Sequence, residues 1–72
     1  MSNFSEKLKE CRLKKGLTQK QAAEIFNVNP RHWQAYEGGD RTPTFEGLIA
    51  IADFFDVSLD YLVGRSDNPK RQ

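Results

Sequence analysis

Within Pro30-Arg31-His32-Trp33-Gln34-Ala35, two side chains carry paired hydrogen-bonding groups of the kind that read a flat polar edge. The guanidinium of Arg31 can donate two parallel hydrogen bonds to guanine, and the carboxamide of Gln34 can pair with adenine in the same two-point manner. Pro30, His32 and Ala35 flank them, with Pro30 limited to apolar contact such as a thymine methyl. Catalysis is the poorer fit. One histidine, His32, and one cysteine, Cys11, are too few for a multi-histidine metal cluster, a cysteine-based zinc site or an internal disulfide. A Gly-rich phosphate loop, His-Glu-x-x-His and Gly-x-Ser-x-Gly are all absent. Cys11 lies on an apolar stripe and reads as a small core residue, not as a nucleophile paired with His32. Asp53, Asp56 and Asp60 read as solvated carboxylates, so the expectation is a chain that is not an enzyme and needs no cofactor and no metal.

The elements that must hold Arg31 and Gln34 are helices. Asn3 with Glu6 can open a first helix over about residues 4–15, with Phe4, Leu8, Cys11 and the Lys15 stem at three- and four-residue spacing and Gly16 closing it. Thr18-Gln19-Lys20-Gln21 has the pattern of a capping box and predicts a second helix over about 18–26. Asn27 tolerates the positive φ of the following turn. Asn29-Pro30 then combines a good cap with the residue favoured at the first helical position, predicting a third helix over about 30–37 that stops at Gly38-Gly39. A fourth helix begins at Thr42 or Thr44 and carries an apolar stripe of Phe45, Leu48, Ile51, Ala52 and Phe55. Ser58 caps a short fifth helix, Leu59 to Val63, ended by Gly64. The polar residues 65–72 read as a flexible tail beyond a single domain spanning 1–64.

Seventy-two residues with 38% hydrophobic and 29% charged content suit one small folded domain. Such a chain buries only about 60% of its unfolded surface, which makes a partner subunit an early expectation. The absence of a signal peptide or a long apolar run gives a cytoplasmic, non-membrane reading. Net charge is +1, below the strongly basic balance of many nucleic-acid binders. The distribution is uneven, however: residues 1–36 hold seven Lys/Arg against three Asp/Glu, and residues 37–72 hold four against seven. No period-two alternation competes with the helices, so the fold class is all-α, five short helices in a compact orthogonal bundle. A capped helix, a three-residue turn and a second short helix over about 18–37 form a helix-turn-helix, the arrangement that seats its second helix in a DNA major groove. Ala23 is small where the two helices cross, and Trp33 and Tyr36 can face inward.

Leu8-Lys9-Glu10-Cys11-Arg12, Gly16-Leu17-Thr18-Gln19, Ala23, Val28, Tyr36-Glu37, Pro43, Leu48, Ala52 and Val57-Ser58-Leu59-Asp60-Tyr61-Leu62 resemble the phage repressor and Cro-like helix-turn-helix family, also called the xenobiotic response element family. The resemblance covers residues 4–64, and Tyr61 to Pro69 is further similar to small regulators and prophage repressors of Gram-positive bacteria. It implies a lambda-repressor-like five-helix domain that binds double-stranded DNA, usually as a homodimer on a palindromic operator, in a bacterial transcription regulator or repressor. It places Arg31 and Gln34 on base-reading positions, with Pro30, His32 and Ala35 beside them. Thr18, Gln19, Asn29, the amides of Gly38 and Gly39, Arg41 and Thr42 fall on its phosphate-contacting positions. Arg12 and Glu37 match a partly buried ion pair between the first helix and the end of the third.

Two departures stand out. The family usually has an aliphatic residue at the position of Trp33 and a leucine at that of Ala22, which suggests that the indole fills the space Ala22 vacates. Phe54, where a small residue is usual, together with Tyr61 and Val63, suggests an apolar dimer interface. The near-neutral charge and acidic second half leave open a protein-binding module such as an antitoxin, and a restriction-modification controller, still a DNA binder, is a third reading. Fold alone does not separate them.

Overall fold

The computed structural model describes residues 4–70, which form five α-helices and no strand: α1 (Phe4–Lys14), α2 (Gln19–Ile25), α3 (Pro30–Gly38), α4 (Phe45–Phe55) and α5 (Leu59–Leu62). Asn3, expected to open α1, lies outside the described residues. The boundaries follow from caps. Thr18 Oγ1 accepts from Gln21 N at 3.0 Å while Gln21 Oε1 accepts from Thr18 N at 2.9 Å, so the capping box is closed in both directions. Asn27 takes φ +54°, and Val28 N donates to Ala23 O at 2.9 Å as the chain leaves α2. Asn29 Oδ1 accepts from Arg31 N at 2.8 Å, and Pro30 opens α3. Thr44, not Thr42, caps α4 through Gly47 N at 3.1 Å. A Cβ on Gly47 would stand 3.1 Å from that of Pro43, so glycine lets the loop close tightly on the first turn of α4.

The core brings Leu8 and Cys11 of α1, Ala22 and Ala23 of α2, Trp33 of α3, Ile51, Ala52 and Phe55 of α4, and Val57, Tyr61 and Leu62 into one cluster. Trp33 has no exposed surface. Its ring stacks on Phe26 with centroids 5.4 Å apart and meets Tyr36 edge-on at 6.2 Å. Ala22 is equally buried, as the proposed exchange of volume between the two positions requires.

Three expectations are corrected, and the polar tail makes contacts that the pattern did not single out. Phe45 is 69% exposed and lies off the stripe of α4. At 100° per residue it sits about 100° from the line of Ile51 and Phe55 that faces the core. Lys15 lies past the end of α1 and is exposed, whereas Lys7 and Arg12 are the buried basic residues of that helix. Lys7 places its Nζ 4.1 Å from the centroid of Tyr61, where ring and ammonium attract. Residues 65–70 turn back on the domain: Ser58 N donates to Pro69 O at 3.0 Å and Ser58 Oγ to Asn68 O at 3.4 Å. Finally, α5 ends at Leu62, one residue early, because Val63 already has the φ and ψ of a capping residue.

The packing of Trp33 has a direct readout. Its fluorescence in the folded protein is expected to be blue-shifted and shielded from iodide, and Trp33→Ala should cost about 3–5 kcal/mol in denaturant unfolding. Emission like that of free tryptophan in water would contradict this packing.

Candidate nucleic-acid interface

Burying Trp33 decides which side of α3 faces out. With 100° per residue, Arg31 and Ala35 lie about 160° from Trp33, while His32 and Gln34 lie about 100° away on either flank. Arg31, His32 and Gln34 are exposed, Pro30 is exposed at the start of the helix, and Ala35 is half-buried. Arg31 and Ala35 thus centre the outward side of α3 with His32 and Gln34 on its flanks, whereas Pro30, about 60° from Trp33 by the same geometry, is exposed at the first turn and lies off that centre. Among the described residues neither Arg31 nor Gln34 has a side-chain hydrogen bond, and both side chains are exposed.

The opposite side of α3 is fastened by Glu37. Its Oε2 accepts from Arg12 Nε at 2.6 Å and from Trp33 Nε1 at 2.5 Å. Its Oε1 accepts from Arg12 Nη2 at 3.1 Å and from Gln19 Nε2 at 3.2 Å. The two ionic side chains are only 8% and 4% exposed. Arg12 Nη1 donates onward to Leu17 O at 2.8 Å, which ties the turn before α2 into the same group. The pairing of Arg12 with Glu37 implied by the resemblance is therefore present. The contributions of Trp33 and Gln19 were missed; Trp33 and Glu37 stand four apart on one helix, a spacing that could have signalled the first of them. Burial alone would push the Glu37 carboxyl up, but the hydrogen bonds from Arg12, Gln19 and Trp33, with the Arg12 charge, outweigh it and hold the carboxyl below its ordinary value. Burial pushes the Cys11 thiol up, in keeping with a core residue and not an activated nucleophile.

The residues assigned to phosphate contact divide into two groups. Arg41 and Thr42 are exposed on the loop after α3, and their side chains make no hydrogen bond or ion pair among the described residues. The main-chain donors nearby are not free. Gly39 adopts φ +84° and turns its N–H onto Ala35 O and Tyr36 O, while Asp40 N and Arg41 N both donate to Ala35 O. The reading of the Gly39 amide as a phosphate donor is therefore corrected: capping α3 consumes it. Gly38 lies inside the last turn of α3, where its N–H belongs to the helix. Gln19 gives one amide hydrogen to Glu37 and keeps the other, and the Thr18 and Asn29 oxygens act as caps. Of the seven basic residues in the first half, Lys7 and Arg12 are buried, leaving Lys9, Lys14, Lys15, Lys20 and Arg31 on the surface.

Among the three residues read as an interface between copies, Tyr61 is corrected. It is 7% exposed, because its ring belongs to the core beneath Lys7. Phe54 is 39% exposed, with its ring packed edge-on against Phe26 and Phe55, and Val63 is half-buried. Ile49, one turn after Phe45, is a further exposed apolar residue that the pattern did not single out. Among the described residues no group of three or more His, Cys, Asp or Glu is placed to hold a metal ion. No helix among them is long and apolar enough to cross a membrane.

A helix-turn-helix family model matches residues 8–62, and the chain belongs to that family, as the resemblance over residues 4–64 implied. It is similar to the HTH-type transcriptional regulator YqaE of Bacillus subtilis, 45% identical over 67 residues that make up 93% of this chain and 58% of that protein. It is also similar to the regulator ImmR of B. subtilis, at 36% identity over 96% of this chain and 54% of ImmR. The cryptic phage CTXphi transcriptional repressor RstR of Vibrio cholerae is 37% identical over 86% of this chain and 55% of RstR. A crystal structure of a transcriptional regulator from Listeria innocua superposes with a TM-score of 0.80 at 39% identity, over 85% of this chain and 57% of that one. The chain thus spans a little over half the length of each of these four proteins.

The depressed Glu37 carboxyl makes folding pH-dependent. A carboxylate favoured in the folded state contributes its full stability above the unfolded value, about 4.5, and loses it as pH falls through the lower folded value. Melting is therefore expected to weaken below about pH 4.5, and Glu37→Gln should flatten that part of the profile. At pH 7, Glu37→Ala should cost about 3–5 kcal/mol by leaving Arg12 buried and unpaired. An unchanged melting temperature would place the pair at the surface.

Proposed function

We propose that the chain is a sequence-specific DNA-binding transcriptional regulator, a repressor that acts by occupying a palindromic operator as a homodimer. One observation carries this reading: α3 exposes Arg31 and Gln34 with unspent paired donors while its other side is locked to α1 and α2 by Glu37. A helix held this way can enter a major groove as a rigid body, with Arg31 on guanine and Gln34 on adenine. His32, Pro30 and Ala35 fill the space around them. Arg41 and Thr42 from the following loop, with Gln19 and the exposed lysines, supply phosphate contacts whose strength falls with salt. The identity to the repressor RstR and to regulators of B. subtilis supports the same reading. The partner is double-stranded DNA, the setting is the bacterial cytoplasm, and the action is occupancy of a site without chemistry, metal or cofactor.

Dimerisation completes the mechanism. A pair of copies related by a two-fold axis would set two recognition helices about 34 Å apart, one turn of DNA. Phe54, with Val63 near it in sequence, remains as exposed or half-exposed apolar surface for that pairing.

Selection of bound duplexes from a random pool at about 150 mM salt tests the whole reading, because weak phosphate-only binding is suppressed there. A recovered palindrome with half-sites one turn apart supports it; no enrichment from folded protein overturns it. On the selected duplex, Arg31→Ala should lose about 1–3 kcal/mol, or roughly 5- to 150-fold in affinity, with a smaller loss on random DNA. Equal losses on both would make Arg31 a phosphate contact.

A further inference from the structure

Glu37 joins three elements through one carboxylate and also stands directly before the turn that leads to Arg41 and Thr42. We infer that Glu37, with its plane fixed by Trp33 and Arg12, is a positioning residue for Gln19 in contact with the DNA backbone. The inference rests on the DNA-binding reading above and adds a role to residues that touch no DNA.

The two oxygens of Glu37 divide the work. Oε2 takes Arg12 Nε and the Trp33 indole N–H, at 2.6 and 2.5 Å. Rotating the carboxylate would break both short bonds, so Oε1 stays aimed at Gln19 Nε2, 3.2 Å away. That contact is the only hydrogen bond made by the Gln19 side chain among the described residues. It uses one of the two amide hydrogens and leaves the second for a phosphate oxygen. A glutamine held in this way has already lost its rotamer freedom, so binding need not remove it again. The same residue fixes the start of α2 against the end of α3, and so fixes Gln19 relative to Arg41 and Thr42. Arg12 is required electrostatically as well, since its paired contact neutralises a carboxylate that would otherwise repel phosphate. An aliphatic side chain at position 33 would leave Oε2 with one donor fewer, so the tryptophan gives this chain a tighter hold on its glutamine.

The test measures binding of a random-sequence duplex at low salt by wild type, Gln19→Ala, Glu37→Gln and the double variant, with thermal melting alongside. Gln19→Ala should weaken binding about tenfold, the low end for a hydrogen bond to a charged group, while staying folded and losing less melting temperature than Glu37→Gln, because Glu37 keeps its donors from Arg12 and Trp33. Glu37→Gln should also weaken binding, and the double variant should bind no more weakly than the weaker single one. Losses that multiply, or a Gln19→Ala variant that binds like wild type, would overturn the inference. Because Glu37→Gln can unfold, a second readout uses only stable proteins: the Trp33 indole N–H resonance as the duplex is added. It should move in wild type and move less than half as far in Gln19→Ala; equal movement would overturn the inference. If wild type itself fails to bind the duplex at low salt, the DNA-binding reading falls first, and that result is distinct from the others.

Discussion

The carboxylate of Glu37 is where the energetics of this small chain concentrate. At roughly 0.05–0.15 kcal/mol per residue, 72 residues carry about 4–11 kcal/mol of net stability. Leaving one partner of a buried ion pair unpaired costs about 3–5 kcal/mol, a large part of that total. The pair is tolerated because Glu37 receives four donors and Arg12 uses Nη1 on Leu17 O as well, so neither buried charge is left with only one contact. An apolar pair of similar volume could stabilise the fold equally well, but it would not fix the direction of three polar side chains.

That directional constraint explains how a short helix can present a surface for recognition. A nine-residue helix such as α3 is marginal by itself in water and needs packing on one side. Trp33 supplies the packing, stacked on Phe26, and Glu37 one turn later supplies the polar fastening. The caps at Asn29 and Gly39 close both ends. Trp33, Tyr36 and Glu37 carry the interior side of α3, while Arg31 and Gln34 are exposed and have no side-chain hydrogen bond among the described residues. The loop follows the same economy: Gly39, Asp40 and Arg41 direct their N–H groups to α3, so the side chains of Arg41 and Thr42 are what it offers outward.

Local chemistry was legible in the sequence, and proximity across the fold was legible only by resemblance. The capping box of Thr18 and Gln21, the positive φ of Asn27 and the Asn29-Pro30 start are determined by neighbours within four residues, and each stands where the pattern placed it. The Arg12–Glu37 pair spans 25 residues and followed from the family pattern, not from spacing. Lys7 and Tyr61 show the opposite case. Periodicity marks a lysine as surface and leaves a tyrosine near the end of the domain without a place, yet the two bury each other through an ammonium over a ring. The tail is a similar case: its polar composition gives no sign of a partner, and its carbonyls meet the N–H and hydroxyl of Ser58.

The near-neutral charge of the chain bears on how such a surface would discriminate. A strongly basic protein gains affinity for any duplex from phosphate neutralisation, and that gain carries no sequence information. Here two of the seven basic residues in the helix-turn-helix half are withdrawn into the core, and Arg12 spends its charge on Glu37. The non-specific background is lowered, and a larger share of any binding energy must come from oriented contacts on α3. Oriented contacts are effective only if their platform does not yield, because a side chain that must first be ordered loses much of what its hydrogen bond contributes. On the proposed reading, the buried arginine would serve discrimination more by bracing Glu37, and through it α3, than it would as one more cation on the surface.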